Sequence, residues 1–142
     1  MAYKTIYKPK NKSKYVGNVD NVVCRSLWER RFCKYLDENK NILRWGSEEL
    51  AIPYISPMDD KIHRYYPDFL MEVINKKGEV ETLLVEVKPK KQIKEPTSKN
   101  KRTKIKELIR YKINLAKWEY AKRYCNENDW KFLILTEDHL LP

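Results

Sequence analysis

The chain lacks any stretch approaching the ~20 consecutive apolar residues that a membrane helix needs, and nothing in it reads as an amphipathic membrane segment. No membrane partner is expected. Met1 to Tyr15 carries lysines but no apolar core, so it is not read as a secretory signal. Cysteine is scarce. Cys24, Cys33 and Cys125 are odd in number and have no C-x-x-C spacing. That argues against a disulfide framework or a zinc site, and makes reduced core thiols in a cytosolic setting the expectation. The two histidines, His63 and His139, are isolated and read as surface or capping residues. An RNP-like aromatic motif and a G-x-x-G loop are both missing, which disfavours an RNA-binding module. There are no internal repeats and no domain linker, and 142 residues suffice for one domain with a real core.

Positive charge is abundant. Thirty Lys and Arg stand against twenty Asp and Glu, a net charge of +10. With no membrane segment to explain that bias, a polyanion is the natural partner, and nucleic acid comes first.

Residues 1–21 are polar and lysine-rich, and are expected to be a flexible basic arm. Residues 22–142 are expected to form a single domain. Ser26 to Glu38 reads as a helix, with Trp28, Phe32, Tyr35 and Leu36 at helical spacing. Three strand-like runs follow: Leu50 to Ile55, with Pro53 suited to an edge; Tyr65 to Ile74; and Glu81 to Lys88. Asn75-Lys76-Lys77-Gly78 is a hairpin signal between the last two. Pro89 to Asn100 reads as a mobile basic loop. A long helix is expected from Arg102 to Asn126, its apolar face formed by Ile105, Leu108, Ile109, Ile113, Ala116 and Tyr120. Trp130 to Thr136 completes the set as a strand. The order α-β-β-β-α-β gives an α/β fold with a mixed sheet flanked by helices. The four tryptophans read as core anchors.

The chemistry concentrates at Pro67-Asp68 and, eighteen residues after the aspartate, Glu86-Val87-Lys88. Alternate residues of a strand share a face about 6.5–7 Å apart, so Glu86 and Lys88 lie together while Val85 and Val87 pack behind. Asp68, on the preceding strand of the hairpin, can stand beside them. Pro67 fixes the backbone before it and removes a ladder donor. Two carboxylates suit a hard divalent cation such as Mg²⁺, which keeps several waters and needs few protein ligands. The candidate ligands are Asp68, Glu86 and the main-chain carbonyl of Val87. A cation there neutralises phosphate charge and lowers the pKa of a bound water. Lys88 would position that water or stabilise the negative charge that crowds the transition state. The alternative is a surface Asp–Lys pair of no chemical consequence. Against it, Glu86 and Lys88 follow directly on Leu83-Leu84-Val85, where a structural strand would carry apolar residues.

Ser26-Leu27-Trp28-Glu29 matches the S-x-x-E capping box. Glu29 also borders the core-facing stripe of its helix, where it would serve as a further ligand or a water orienter. Both readings stay open. For contact with DNA the candidates are Arg64, Lys90, Lys91, Lys94, Lys99, Lys101, Arg102 and Lys117, most of them in or beside the basic loop, which would order on the phosphates. The alternative there is a solvated lysine run.

Taken with Arg64-Tyr65-Tyr66-Pro67-Asp68-Phe69 and Glu86-Val87-Lys88, the Ser26–Glu29 run makes the chain resemble the PD-(D/E)XK nucleases, more narrowly those of the TnsA N-terminal type. Within that type it is similar to the head completion nucleases of T4-like tailed bacteriophages. Further matching words are Lys14-Tyr15-Val16-Gly17, Trp45-Gly46-Ser47-Glu48-Glu49, Ile52-Pro53-Tyr54 and Asn114-Leu115-Ala116-Lys117-Trp118. The resemblance implies a restriction-endonuclease-like core and Mg²⁺-dependent hydrolysis of DNA, with Mn²⁺ able to substitute and 5′-phosphate ends left behind. It implies Glu29, Asp68, Glu86 and Lys88 as the catalytic set. It also implies action late in phage head assembly, with head or portal proteins as partners, in the host cytoplasm or on the virion. Cutting both strands of a duplex would need two active sites, hence a homodimer or sequential nicking. The rival class is a non-catalytic DNA-binding structural protein of the virion head or portal.

Overall fold

The structure is a computed structural model that describes residues 4–140. Its centre is a four-stranded mixed sheet in the order β3-β6-β7-β8. These strands are β3 (Ile42–Ser47), β6 (Phe69–Ile74), β7 (Val80–Val87) and β8 (Lys131–Leu135). β3 and β7 run antiparallel to β6, while β8 runs parallel to β7. The parallel pairing requires a crossover, which the long helix α2 (Lys101–Glu127) supplies. Helix α1 (Leu27–Glu38) covers the other face of the sheet.

The two faces carry separate cores, divided by the alternation of strand residues. Phe69, Met71, Leu83 and Val85 face α1 and its Phe32, Cys33 and Leu36. Leu70, Leu84, Phe132 and Ile134 face α2 and its Trp118, Ala121 and Cys125. The β6–β7 hairpin closes where expected. Asn75 Oδ1 accepts from the main-chain N–H groups of Lys77 and Glu79, and Gly78 takes the left-handed φ of 80° that the turn requires. No helix among the described residues is long and apolar enough to cross a membrane.

Four expectations need correction. The run Tyr65 to Ile74 is not one strand. β5 (Ile62–Tyr65) ends before Pro67, and β6 begins at Phe69. β5 pairs with β4 (Ile52–Ile55) as a separate two-stranded ribbon outside the main sheet. β3 was not expected at all. Its pattern is broken by a register irregularity between Ile42 and Arg44, and by Gly46. A Cβ on Gly46 would sit 2.8 Å from the carbonyl oxygen of Val16, so only glycine lets the N-terminal segment pass this closely.

That segment is the third difference. Residues 4–21 hold β1 (Thr5–Tyr7), which pairs with β2 (Val22–Cys24), and bury Tyr7 and Tyr15 in the α1-side core. Fully buried Asp37, near the end of α1, accepts from Tyr7 Oη at 2.9 Å and from the N–H groups of Lys10 and Asn11 at 2.8 and 3.1 Å. The Lys14 ammonium donates to the carbonyls of Leu36, Asp37 and Asn39 at 2.9–3.0 Å. A cation there satisfies the orphan acceptors and the negative end of the helix dipole. Each such charge-assisted bond contributes about 1.5–3 kcal/mol, and Lys14 is thereby spent on structure rather than free for a ligand.

The fourth difference is the face of α2. Its buried residues are Asn114, Trp118, Ala121 and Cys125. Ile105 and Ile109, expected in the core, are 59% and 41% exposed. A short helix, α3 (Glu137–Leu140), follows β8.

Candidate active site

The register of β6 on β7 pairs Phe69 with Val85 and Leu70 with Leu84. Continued by one residue, it sets Asp68 opposite Glu86. Continued by two, it sets Pro67 opposite Val87. Proline has no N–H, so Pro67 offers none to the Val87 carbonyl. The Val87 N–H instead donates to Asp68 Oδ2 at 2.7 Å. The main chain of Asp68 is fixed as well, its carbonyl accepting from the Glu48 N–H at 3.1 Å. Glu48 itself has a left-handed φ of 53°.

Glu86 is buried on the α2 side of the sheet. Its Oε2 accepts from the Tyr65 hydroxyl and, at 3.3 Å, from Trp118 Nε1. Asp68 Oδ1 and Glu86 Oε1 take no donor among the described residues. Burial, then the nearby charge of Glu86, push the Asp68 carboxyl up to about 9. An Asp68 carboxyl raised this far keeps its proton at neutral pH until a counter-charge arrives.

Lys88 directly follows β7, and its N–H donates to the Leu135 carbonyl at 3.0 Å. Strand alternation puts it on the Glu86 side. Lys117 approaches the same place from α2. Its ammonium lies 5.6 Å from the centroid of the Tyr65 ring and 5.9 Å from that of Tyr54. Burial lowers its pKa and Lys88 pulls the same way, while Glu86 and Asp68 oppose them. Among the described residues neither lysine forms an ion pair.

Ser26 is the N-cap of α1. Ser26 Oγ accepts from the Glu29 N–H at 3.1 Å and reaches its carboxylate at 3.4 Å. Burial raises the Glu29 carboxyl above its usual range, and the charge of Glu48 adds to that. Glu29 is near enough to Asp68 for its charge to be felt there. Among the described residues, however, no three His, Cys, Asp or Glu side chains converge as a metal-holding group. Asp68 and Glu86 stand as a pair, with Glu29 at a distance.

The basic candidates are divided by their partners. Lys91, Lys94, Lys99, Lys101 and Arg102 are exposed along the loop and the start of α2, and Arg64 is exposed on β5 opposite Pro53. Lys90 is engaged: its N–H donates to Glu137 and its ammonium pairs with Asp138 at 2.7 Å. The loop is not featureless. It forms a 3-10 turn over Lys90–Ile93, and Ser98 Oγ donates to Glu107 of α2 at 2.9 Å. His139 has the capping role expected of it, accepting from the Thr136 N–H at 3.0 Å. His63 sits at the surface against Asp59.

Sequence reasoning missed the partners of Glu86. Trp118 read as a core anchor and Tyr65 as the start of a strand, and nothing in their spacing marks them as donors to a strand carboxylate. The one available signal was their position inside the words Arg64–Phe69 and Asn114–Trp118.

The model of the TnsA-like endonuclease N-terminal family matches residues 39–137, the stretch that carries Asp68, Glu86, Lys88 and Lys117. The head completion nuclease of Enterobacteria phage T4 is 36% identical over 146 aligned residues, covering 99% of this chain and 95% of that protein. With a family match over most of its length and a relative aligned nearly end to end, the chain belongs to the TnsA-like endonuclease N-terminal family.

Proposed function

We propose that this protein is a Mg²⁺-dependent DNA endonuclease with a restriction-endonuclease-like core, acting in phage head completion after the genome is packaged. The observation that carries the reading is the pairing of Asp68 with Glu86. Two hard carboxylates stand opposite each other across adjoining strands, burial and the charge of Glu86 raise the Asp68 carboxyl, and each leaves one oxygen without a protein donor among the described residues. A binding module has no use for that crowding. A hard divalent cation would replace the proton and relieve it. The set fits such an ion: Asp68 and Glu86 would hold it with the Val87 carbonyl, and water would complete the shell, since Mg²⁺ retains several waters. When bound, the ion supplies charge neutralisation at the phosphate and a water of lowered pKa.

The remaining roles belong to the chain. Lys88, beside Glu86 and without an ion-pair partner among the described residues, positions the attacking water and stabilises the negative charge of the five-coordinate transition state. Glu29, in the first turn of α1, adds negative potential at Asp68. Lys91, Lys94, Lys99, Lys101, Arg102 and Arg64 track the DNA backbone through phosphate contacts, with Lys117 nearer the scissile group. Lys90 joins them only if its pairing with Asp138 opens. The substrate strands are brought to the site within the phage head, against head or portal proteins, in the host cytoplasm or on the virion.

The test is nicking of supercoiled plasmid by purified protein. Relaxed circles are expected with Mg²⁺ or Mn²⁺, and none with EDTA or with Asp68→Ala. DNA binding without metal-dependent nicking would favour a structural DNA-binding protein of the head instead.

A further inference from the structure

The structure assigns Tyr65 and Trp118 as positioning residues that hold Glu86 on one oxygen, so that it presents the other alone to a divalent cation. This inference rests on the metal reading given above and adds to it the groups that set the site's affinity.

Three observations converge. First, both donors reach the same atom. The Tyr65 hydroxyl and Trp118 Nε1 bond Glu86 Oε2, and neither touches Oε1. Two hydrogen bonds occupy the acceptor directions of Oε2, so Glu86 is set for ligation through Oε1. Second, both donors are buried. Tyr65 and Trp118 are 4% exposed and belong to one buried cluster with Leu84 and Ala121. They come from different elements, the β4–β5 ribbon and α2, so Glu86 is braced from two directions. Third, the bracing reaches a cation. The Tyr65 ring carries the Lys117 ammonium 5.6 Å from its centroid. The ribbon and α2 therefore meet the sheet at the carboxylate, not merely around it.

Bracing of this kind raises metal affinity by removing the cost of ordering the ligand, and loss of one such partner typically weakens binding about 10–100-fold. A purely structural tyrosine or tryptophan would alter melting temperature but not metal affinity.

The experiment is Mn²⁺ titration of wild type, Tyr65→Phe and Trp118→Phe by calorimetry, with far-UV circular dichroism and thermal melts on each. Tyr65→Phe keeps the ring under Lys117 and removes only the hydroxyl. Its Mn²⁺ dissociation constant is expected to rise about tenfold or more with the fold retained, and saturating Mn²⁺ is expected to restore most of the cleavage rate. Trp118→Phe is expected to behave alike, and it carries the test if Tyr65→Phe does not fold. Wild-type Mn²⁺ affinity in the folded variants would overturn the inference while leaving the metal reading intact. A wild-type protein that takes up no Mn²⁺ would overturn both.

Discussion

Lys88→Ala is expected to lower DNA cleavage by about 10²–10³-fold, the usual loss on removing one donor aimed at transition-state charge, with little change in folding or DNA binding. Lys88 lies just past the end of β7, is only half-buried, and forms no ion pair among the described residues, so its removal strands no partner. Its main-chain bond to Leu135 survives the substitution. The exposed lysines and arginines of the loop and of α2 remain to hold the phosphate backbone. Single-turnover cleavage, a gel-shift titration and a thermal melt separate the three effects. Turnover close to wild type would remove Lys88 from the chemistry.

Asp68→Asn is expected to abolish metal-dependent cleavage while stabilising the metal-free protein. The sign follows from the raised Asp68 carboxyl. Unfolded, it loses its proton near the ordinary value of about 4. Folded, it keeps the proton until about 9. Between those limits the native state holds a proton that the unfolded chain has released, so stability falls as pH rises through that window. The stabilising contribution is full below about 4 and gone above about 9. An amide has no such proton. Its oxygen still accepts from the Val87 N–H, and its neutral NH₂ group puts no second negative charge beside Glu86. The variant should therefore melt about 5 °C higher than wild type at pH 8, with the gap closing toward pH 5. Mn²⁺ should reverse the order by stabilising wild type alone, releasing about one proton per ion bound. A melting temperature that falls at pH 8 would show that the Asp68–Glu86 contact is not repulsive.

The parts of this molecule legible in the sequence are those whose signals are local. The β6–β7 hairpin announced itself through its apolar alternation and the Asn75–Gly78 turn. The spacing of Asp68 and Glu86 about that turn then fixed their meeting, because an antiparallel register needs only the turn to be known. The Ser26 cap was readable for the same reason. The N-terminal segment was not, since its order comes from contacts with residues more than twenty positions away. Tyr7, Lys10 and Asn11 bond Asp37, and Lys14 caps the end of α1. Lysine-rich composition hides such bonds. β3 was hidden by its irregular register and by Gly46, which packing rather than strand propensity requires. On α2, hydropathy pointed to Ile105 and Ile109, whereas the helix buries Asn114 and Trp118. The Trp118 indole is turned inward to serve Glu86, a reason no periodicity contains. The same holds for Tyr65, whose role exists only once β5 folds away from the main sheet.

The most direct measurement is anomalous diffraction from crystals soaked in Mn²⁺. A single strong peak is expected between the Asp68 and Glu86 carboxylates, next to the Val87 carbonyl, and absent from Asp68→Asn crystals. Well-ordered side chains with no peak between them, or a peak held by other residues, would contradict the assignment of this pair as the metal site.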